Sequence, residues 1–561
     1  MMHFGGSLGA LLRRGIAPSR LAKAGVASVL ISIVVASPVA AQTHLTASQW
    51  REDLHYLVEQ IQTIHPDAFH HVTQSQFMAA SAKVDAEIPS LSDHEIEVEL
   101  AQLVAMLGEG HSRLSLPGLA DPMSDVKELT PYKDPSLAFH TLPVRAYLFS
   151  DGLFVVAAAP EYKSLIGSQI VQIGNLSAQS ALDAVQPIIN RDNDMGARLI
   201  GPDFVAVPEI LSALHITKDA SSVPVTFRAR DGNSTKVDIA PLHVGDLSTW
   251  ISADDAIHAP NSSYAAHAQE NLWTEYDSAS GTLLARVNVI QDSPGQPVAK
   301  FASRIEALAA SRTVKRFVID FRDCHGGDNQ KFRALLLTIL RDTKINQLGQ
   351  SFVLINRATF SAAVNATSDL ERLSNSILVG EPTAGAPSSW GDPRKVTLPN
   401  SGLIFRISSI YWRDWISTPT RPWIAPDISI PVTSADYFAG RDPVMAAVLN
   451  FPLQSGFSDV LVNLVHSGAP AASITRLYYQ HKTDAVWADE TTENAMQAAG
   501  EAFLAKKAYD DAFLMFAINW KEYPGSLSRA IQSAQTALAV DPDSESIKNL
   551  LEKLGNLQSH S

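Results

Sequence analysis

The sequence predicts a multidomain α/β protein, and three observations carry that prediction. Its 561 residues are too many for a single hydrophobic core. The texture changes along the chain, from helical periodicity to short β runs and back to helix. Between residues 282 and 450, strand, loop and helix alternate, the pattern of a parallel sheet whose loops gather at the C-terminal ends of its strands.

Residues 1–41 are read as a secretory signal and not as a domain. Arg13, Arg14, Arg20 and Lys23 precede the apolar run "AGVASVLISIVVA", and "SPVAAQ" supplies small residues for cleavage after Ala41. The apolar run is short for a membrane span. The expected destination is therefore outside the cytoplasm, periplasmic or secreted. Losing four basic residues takes the formal charge from −14 to −18. So acidic a chain is a poor partner for nucleic acid, which needs a positive face. One cysteine, Cys324, leaves no internal disulfide framework.

Residues 42–118 read as an N-terminal helical domain. "TASQ" (Thr46 to Gln49) and "SDHE" (Ser92 to Glu95) are capping boxes ahead of apolar residues on one helical face. The second helix stops at "GEGHS", where Gly108 and Gly110 release His111 into a loop. Residues 137–245 are β-rich, with "GLFVVAAAP", "LIGSQIVQIGNLSA" and "VPVTFRARDG" as strand-like segments between turn signals. A polar connector covers about 246–270. Within 270–450, "VKRFVIDF", "SFVLIN" and "SILVG" are buried-strand runs. "QKFRALLLTILRD" and "SAAVNATSDLERL" are the helices between them. Residues 484–561 read as paired helices of repeat type.

This topology puts "RDCHGGDN" and "RATFS" on the sheet edge where such folds place their chemistry. Ser361, at the start of a helix, has two readings. It is a helix cap, the commonest role of serine there, or it is a nucleophile beside free backbone N–H groups. In the second case the Ala362 N–H and one from Gly326 or Gly327 would face a developing oxyanion, and a base is needed for the hydroxyl proton. His111 is a loop histidine of the right chemistry, but spacing alone does not bring residue 111 to residue 361. "HPDAFHH" (His65 to His71) lacks the helical i, i+4 spacing of a metal site, Cys324 and His325 are adjacent residues that point apart, and "GEPTAG" lacks the lysine of a phosphate loop. No cofactor or metal is expected.

Six segments, "GEGHSRL", "FVIDFRDCHGGDN", "ATFSAA", "VGEPTAG", "LPNSGL" and "APDISI", occur in an order and rough spacing that resemble the S41 serine peptidases, a family including tail-specific processing proteases and the tricorn core. The resemblance implies a ClpP/crotonase-like α/β catalytic core, a PDZ-like module at 137–245 and a TPR-like C-terminal segment. It also implies Ser361 as nucleophile, with Gly326 or Gly327 and Ala362 forming the oxyanion hole. The processing proteases use a lysine directly after the glycine of a "VGEPTFGK"-like motif, where this chain has Ala386. The tricorn-like branch takes a histidine from the end of the helical domain, the position of His111. The implied activity is that of an exported serine-type endopeptidase acting on peptides or unfolded proteins. His111 would act as a base with an ordinary pKa near 6.5. No glutamate stands before "PDI" where that branch has its orienting carboxylate. Asp414, Glu109, Glu381 and Asp427 are candidates, and the role is left unassigned. Two alternatives share the fold: a catalytically silent peptide- or ligand-binding protein, and an esterase. A carboxylate-binding loop in the PDZ-like module is hinted at by "DGLF" (Asp151 to Phe154).

Overall fold

The computed structural model describes residues 44–559 apart from 122, 124–128, 243–249, 253–266, 268–269, 415–420, 454–455 and 484–491. The expected signal segment, most of the polar connector and part of the stretch before "PDI" lie outside the described residues. The described residues from His44 onward form one compact unit. No described helix is long and apolar enough to cross a membrane.

The centre is a six-stranded sheet in the order Ile428–Ser429, Ile377–Gly380, Ser351–Ile355, Arg316–Asp320, Thr282–Val287, Leu272–Asp277. All neighbours are parallel except the last pair. The strand Arg316–Asp320 is buried along its whole length, as are Ser351–Ile355 and Ile377–Gly380, which is why these runs are apolar without alternation. Helices Val298–Ser311, Asn329–Arg341 and Ala362–Leu373 connect them. Strands Arg316–Asp320 and Ser351–Ile355 end level with each other, Asp320 opposite Leu354. The "RDCHGGDN" and "RATFS" loops therefore leave the sheet on the same edge, as the alternating pattern predicts.

The helical region begins with Ala47–Ile64 and Asp93–Ala105, whose capping boxes at Thr46 and Ser92 form as read. A third helix lies between them, Gln74–Glu87, with its own capping box from Thr73 to Gln76. The reading of 42–118 as wholly helical gives way at Arg113–Ser115, a strand paired with Ile404–Ile407. The helical region is also tied to the core by Asp53. This carboxylate is fully buried and accepts the backbone N–H groups of Asn400 and Ser401, each at 2.8 Å.

The β-rich region is a mainly antiparallel sheet in the order Val144–Phe149, Gly152–Ala158, Gln169–Ile173, Val223–Arg228, Ser234–Ile239. Helices Asp194–Phe204 and Pro208–Ala213 interrupt it in sequence. The "DGLF" turn is already engaged: Asp151 accepts the N–H of Ser434 at 2.9 Å and its hydroxyl at 2.7 Å. C-terminal helices Glu493–Ala505, Tyr509–Glu522, Leu527–Val540 and Glu545–Ser559 follow in sequence. Gly500 admits the Phe516 ring, which would lie 2.4 Å from a Cβ there.

Truncating Asp53 would strand two buried N–H groups. Asp53→Ala is expected to cost about 3 kcal/mol, read as a lowered urea midpoint with an unchanged slope. A loss below about 0.5 kcal/mol would show that the Asn400–Ser401 turn finds other acceptors.

Candidate active site

The serine loop is built from the sheet outward. After Ile355 the chain turns on Asn356, whose side-chain oxygen accepts the Ala358 N–H at 2.9 Å. The Thr359 hydroxyl donates to the Phe321 carbonyl at 3.1 Å, and the Phe360 N–H donates to the Cys324 carbonyl at 3.1 Å. These bonds fasten the serine loop to the glycine loop on the neighbouring strand. Phe360 is then driven inward, 2 % exposed, and Ser361 is left facing the cleft.

Ser361 adopts φ 52° and ψ −126°, and its side chain makes no capping bond to the helix that follows. The cap reading of this serine is therefore displaced. A non-glycine residue there costs of order 1–3 kcal/mol and persists only where the surroundings impose it. Gly326 lies directly against it: a Cβ on Gly326 would stand 2.7 Å from Ser361 Cβ and 3.0 Å from the Ala362 nitrogen. The missing Cβ of Gly327 faces the Ile290 backbone instead, with Ile290 O 2.3 Å away. Both glycines have positive φ, 128° and 124°.

His111, 250 residues away in sequence, places Nε2 3.0 Å from Ser361 Oγ. Its ring is buried, 8 % exposed, and stacks on Phe360 at a centroid distance of 4.5 Å. Burial, followed by the charge of Arg113, pushes its pKa down to about 4, against the opposing pull of Glu109. The ordinary value expected of a loop histidine does not hold, because this one is enclosed. Nδ1 makes no hydrogen bond of ordinary geometry, although the Trp390 carbonyl is close enough to favour the protonated ring.

Of the four carboxylates considered for the orienting role, three are committed elsewhere. Asp414 binds the Ser368 hydroxyl and Arg372. Glu381 is bidentate on Arg357, and Asp427 holds Arg476 and the Leu378 N–H. Only Glu109, buried at 2 % exposure, exerts a field on His111.

Sequence reading missed Asp192. Its two oxygens accept the Gly110 N–H at 2.7 Å and the Ala386 N–H at 3.0 Å. It joins the histidine loop to the "VGEPTAG" segment at Ala386. Burial raises its pKa to about 7, in spite of those two bonds and with help from Glu109. Next to it, the Asn193 side chain donates to the Thr383 and Pro422 carbonyls. Asn193 caps the helix Asp194–Phe204, and an asparagine at a helix start is the one local signal that could have pointed to this loop. Lys395, the nearest downstream lysine, is exposed on the strand Arg394–Thr397, opposite Arg406.

No family model matches the chain, and no curated protein matches it. Among solved structures, it is similar to mature CPAF complexed with lactacystin, at 13 % identity and TM-score 0.48, over 72 % of this chain and 99 % of that one. The photosystem II D1 C-terminal processing protease aligns at 12 % identity and TM-score 0.32, covering 69 % and 94 %. The tricorn protease aligns at 13 % and 0.32, covering 72 % of this chain and 36 % of its own. All three alignments lie below 25 % identity and below a TM-score of 0.5.

Proposed function

We propose that the protein is an exported serine peptidase of the S41 type, in the branch that pairs serine with histidine. The observation that carries this reading is the 3.0 Å contact between His111 Nε2 and the Oγ of a conformationally strained Ser361 that caps nothing. The substrate is a peptide or an unfolded protein. Ser361 Oγ attacks the scissile carbonyl carbon while its proton passes to Nε2 of His111. The carbonyl π pair moves onto oxygen, where the Ala362 N–H and one from Gly326 or Gly327 receive the charge. As the tetrahedral species collapses, the C–N bond breaks and the imidazolium protonates the leaving amine. Water then attacks the acyl-enzyme with the same base. A lysine base has no support here, since Ala386 occupies its position and turns its N–H to Asp192.

One observation favours a second reading, a silent peptide-binding protein: Nδ1 of His111 lacks a hydrogen-bonded carboxylate. The two readings part on reaction with a serine-directed phosphonate, followed by mass spectrometry and digestion of a denatured protein substrate. Adduct at Ser361 with cleavage supports the peptidase. Intact substrate and no adduct supports the binder.

The strain at Ser361 makes stability and activity separable. Ser361→Ala and Ser361→Gly should both lose turnover, with the alanine variant leaving the unfolding free energy near the wild type. The glycine variant should be the more stable of the two by about 1 kcal/mol, because glycine adopts this backbone freely. Equal stability would remove the claim of strain.

The depressed pKa of His111 sets the pH dependence. The ring must be neutral to accept the proton, so kcat/KM should hold level from about pH 5.5 to 8 and fall on the acid side, with a midpoint near 4. The same group is linked to stability. Between its folded value near 4 and its ordinary 6.5, the unfolded chain binds more protons, so its contribution to stability grows as pH rises through that window. Asp192, raised by burial to about 7, would add a separate inflection to the stability profile: its contribution falls as pH rises from its ordinary value through that window, and Asp192→Asn removes it. A limb near neutrality that survives Asp192→Asn would show that His111 titrates at its ordinary value.

A further inference from the structure

In the mechanism proposed above, proton transfer creates an imidazolium in a buried place. An uncompensated buried cation is costly, and Arg113 raises that cost. A carboxylate hydrogen-bonded to Nδ1 would offset it, but Nδ1 has no such partner. The charged groups acting on the ring are Glu109 and Asp121, which favour the cation, and Arg113, which opposes it. Asp121 is occupied by Arg113, which it binds through Nε at 2.9 and 3.1 Å and through Nη2 at 2.7 Å. Its charge is thus largely cancelled by the cation that opposes His111.

Glu109 is different. Neither oxygen makes a hydrogen bond of ordinary geometry, although the side chain is 2 % exposed. Its nearest charged or chargeable neighbour is Nε2 of His65 at 3.5 Å, itself fully buried. The tautomer of His65 follows from its other nitrogen. Nδ1 accepts the Asp67 N–H at 3.1 Å, so the neutral ring carries its proton on Nε2, facing Glu109. The His65 ring packs on Trp390 at 4.5 Å and on His70 at 5.6 Å. Trp390 also turns its backbone carbonyl toward His111. Glu109, His65 and His111 are thus held in one packed group, and among the described residues no Lys or Arg forms an ion pair with the carboxylate, whose ion-pair contact is His65.

We infer that Glu109, packed against Nε2 of His65, is the anion that stabilises the His111 imidazolium during acyl transfer, in place of a carboxylate bonded directly to Nδ1. Glu109 is a positioning and charge-balancing residue, since it touches neither substrate nor reacting atoms. His65 limits where the carboxylate can lie, its Nε2 standing 3.5 Å from Oε1. The inference rests on His111 acting as the base for Ser361.

The test uses a peptidyl boronate, whose tetrahedral adduct on serine pairs an anion with the protonated histidine. Glu109→Gln should lower kcat about 10- to 100-fold with KM within about threefold. It should weaken boronate inhibition by a similar factor while leaving affinity for a product-like peptide unchanged. In the wild-type adduct, the imidazolium should titrate about one pH unit higher by NMR than in the Glu109→Gln adduct. Glu109→Asp should restore part of each effect. Should Glu109→Gln fail to fold, His65→Phe keeps the ring against Trp390, removes the N–H and should move kcat and boronate affinity the same way. A change in melting temperature alone, with boronate affinity and imidazolium titration unmoved in the variants, overturns the inference. Failure of the underlying reading looks different: wild-type protein that forms no phosphonate adduct at Ser361, or His111→Gln that keeps full turnover.

Discussion

Everything at the cleft depends on the burial of Phe360. Its ring fills the space beneath His111 and beside Gly110 and Gly385, where a Cβ on either glycine would meet it at 2.9 and 3.3 Å. Its N–H is fixed to the Cys324 carbonyl. With residue 360 anchored inward and a helix starting at Ala362, residue 361 takes a positive φ of 52°. The sheet supplies the rigidity that makes this strain tolerable, because both loops spring from fully buried strands. Removing the ring would release the serine and its histidine together.

Much of this was legible in the sequence, and the limits have physical causes. The middle of strands such as Arg316–Asp320, here Phe317, Val318 and Ile319, is apolar on both faces because both faces are buried, so the parallel sheet could be read from composition. Capping boxes at Thr46 and Ser92 were read correctly, yet the same signature at Thr73 was passed over and the helix Gln74–Glu87 went with it. The low amphipathicity of that helix, which buries only Phe77, Ser81 and Val84, hid it. The helix Asp194–Phe204 was lost inside a stretch classed by its β runs. The pairing of residues 111 and 361 came from resemblance, since no local pattern encodes a contact 250 residues apart. Asp192 and the uncommitted state of Glu109 are properties of tertiary packing alone.

The electrostatics of the cleft run opposite to those of a solvent-exposed histidine. Burial and Arg113 favour the neutral His111 ring, whose pKa is pushed down to about 4. In the proposed mechanism the difficulty falls on the next moment, when that ring must hold a charge. A second buried acid, Asp192, raised toward neutrality, shows that the same enclosure acts on anions. At the other end of the glycine loop, Asp320 faces two arginines, Arg286 and Arg322. Burial alone would raise its pKa, but the two guanidinium groups outweigh burial and hold it well below the ordinary carboxylate range. One sheet edge therefore carries a loop stabilised by paired charge and a cleft from which paired charge is withheld.

The single carboxylate of Asp192 ties Gly110 to Ala386 from a third segment of the chain. Closing these contacts joins stretches far apart in sequence, and each such closure costs chain entropy before any contact repays it. The contact between Ser361 and His111 therefore exists only when the helical, β-rich and core segments are all in place. A chain that has not closed all three carries a serine without its histidine, so the pair is a property of the finished fold and of no single segment.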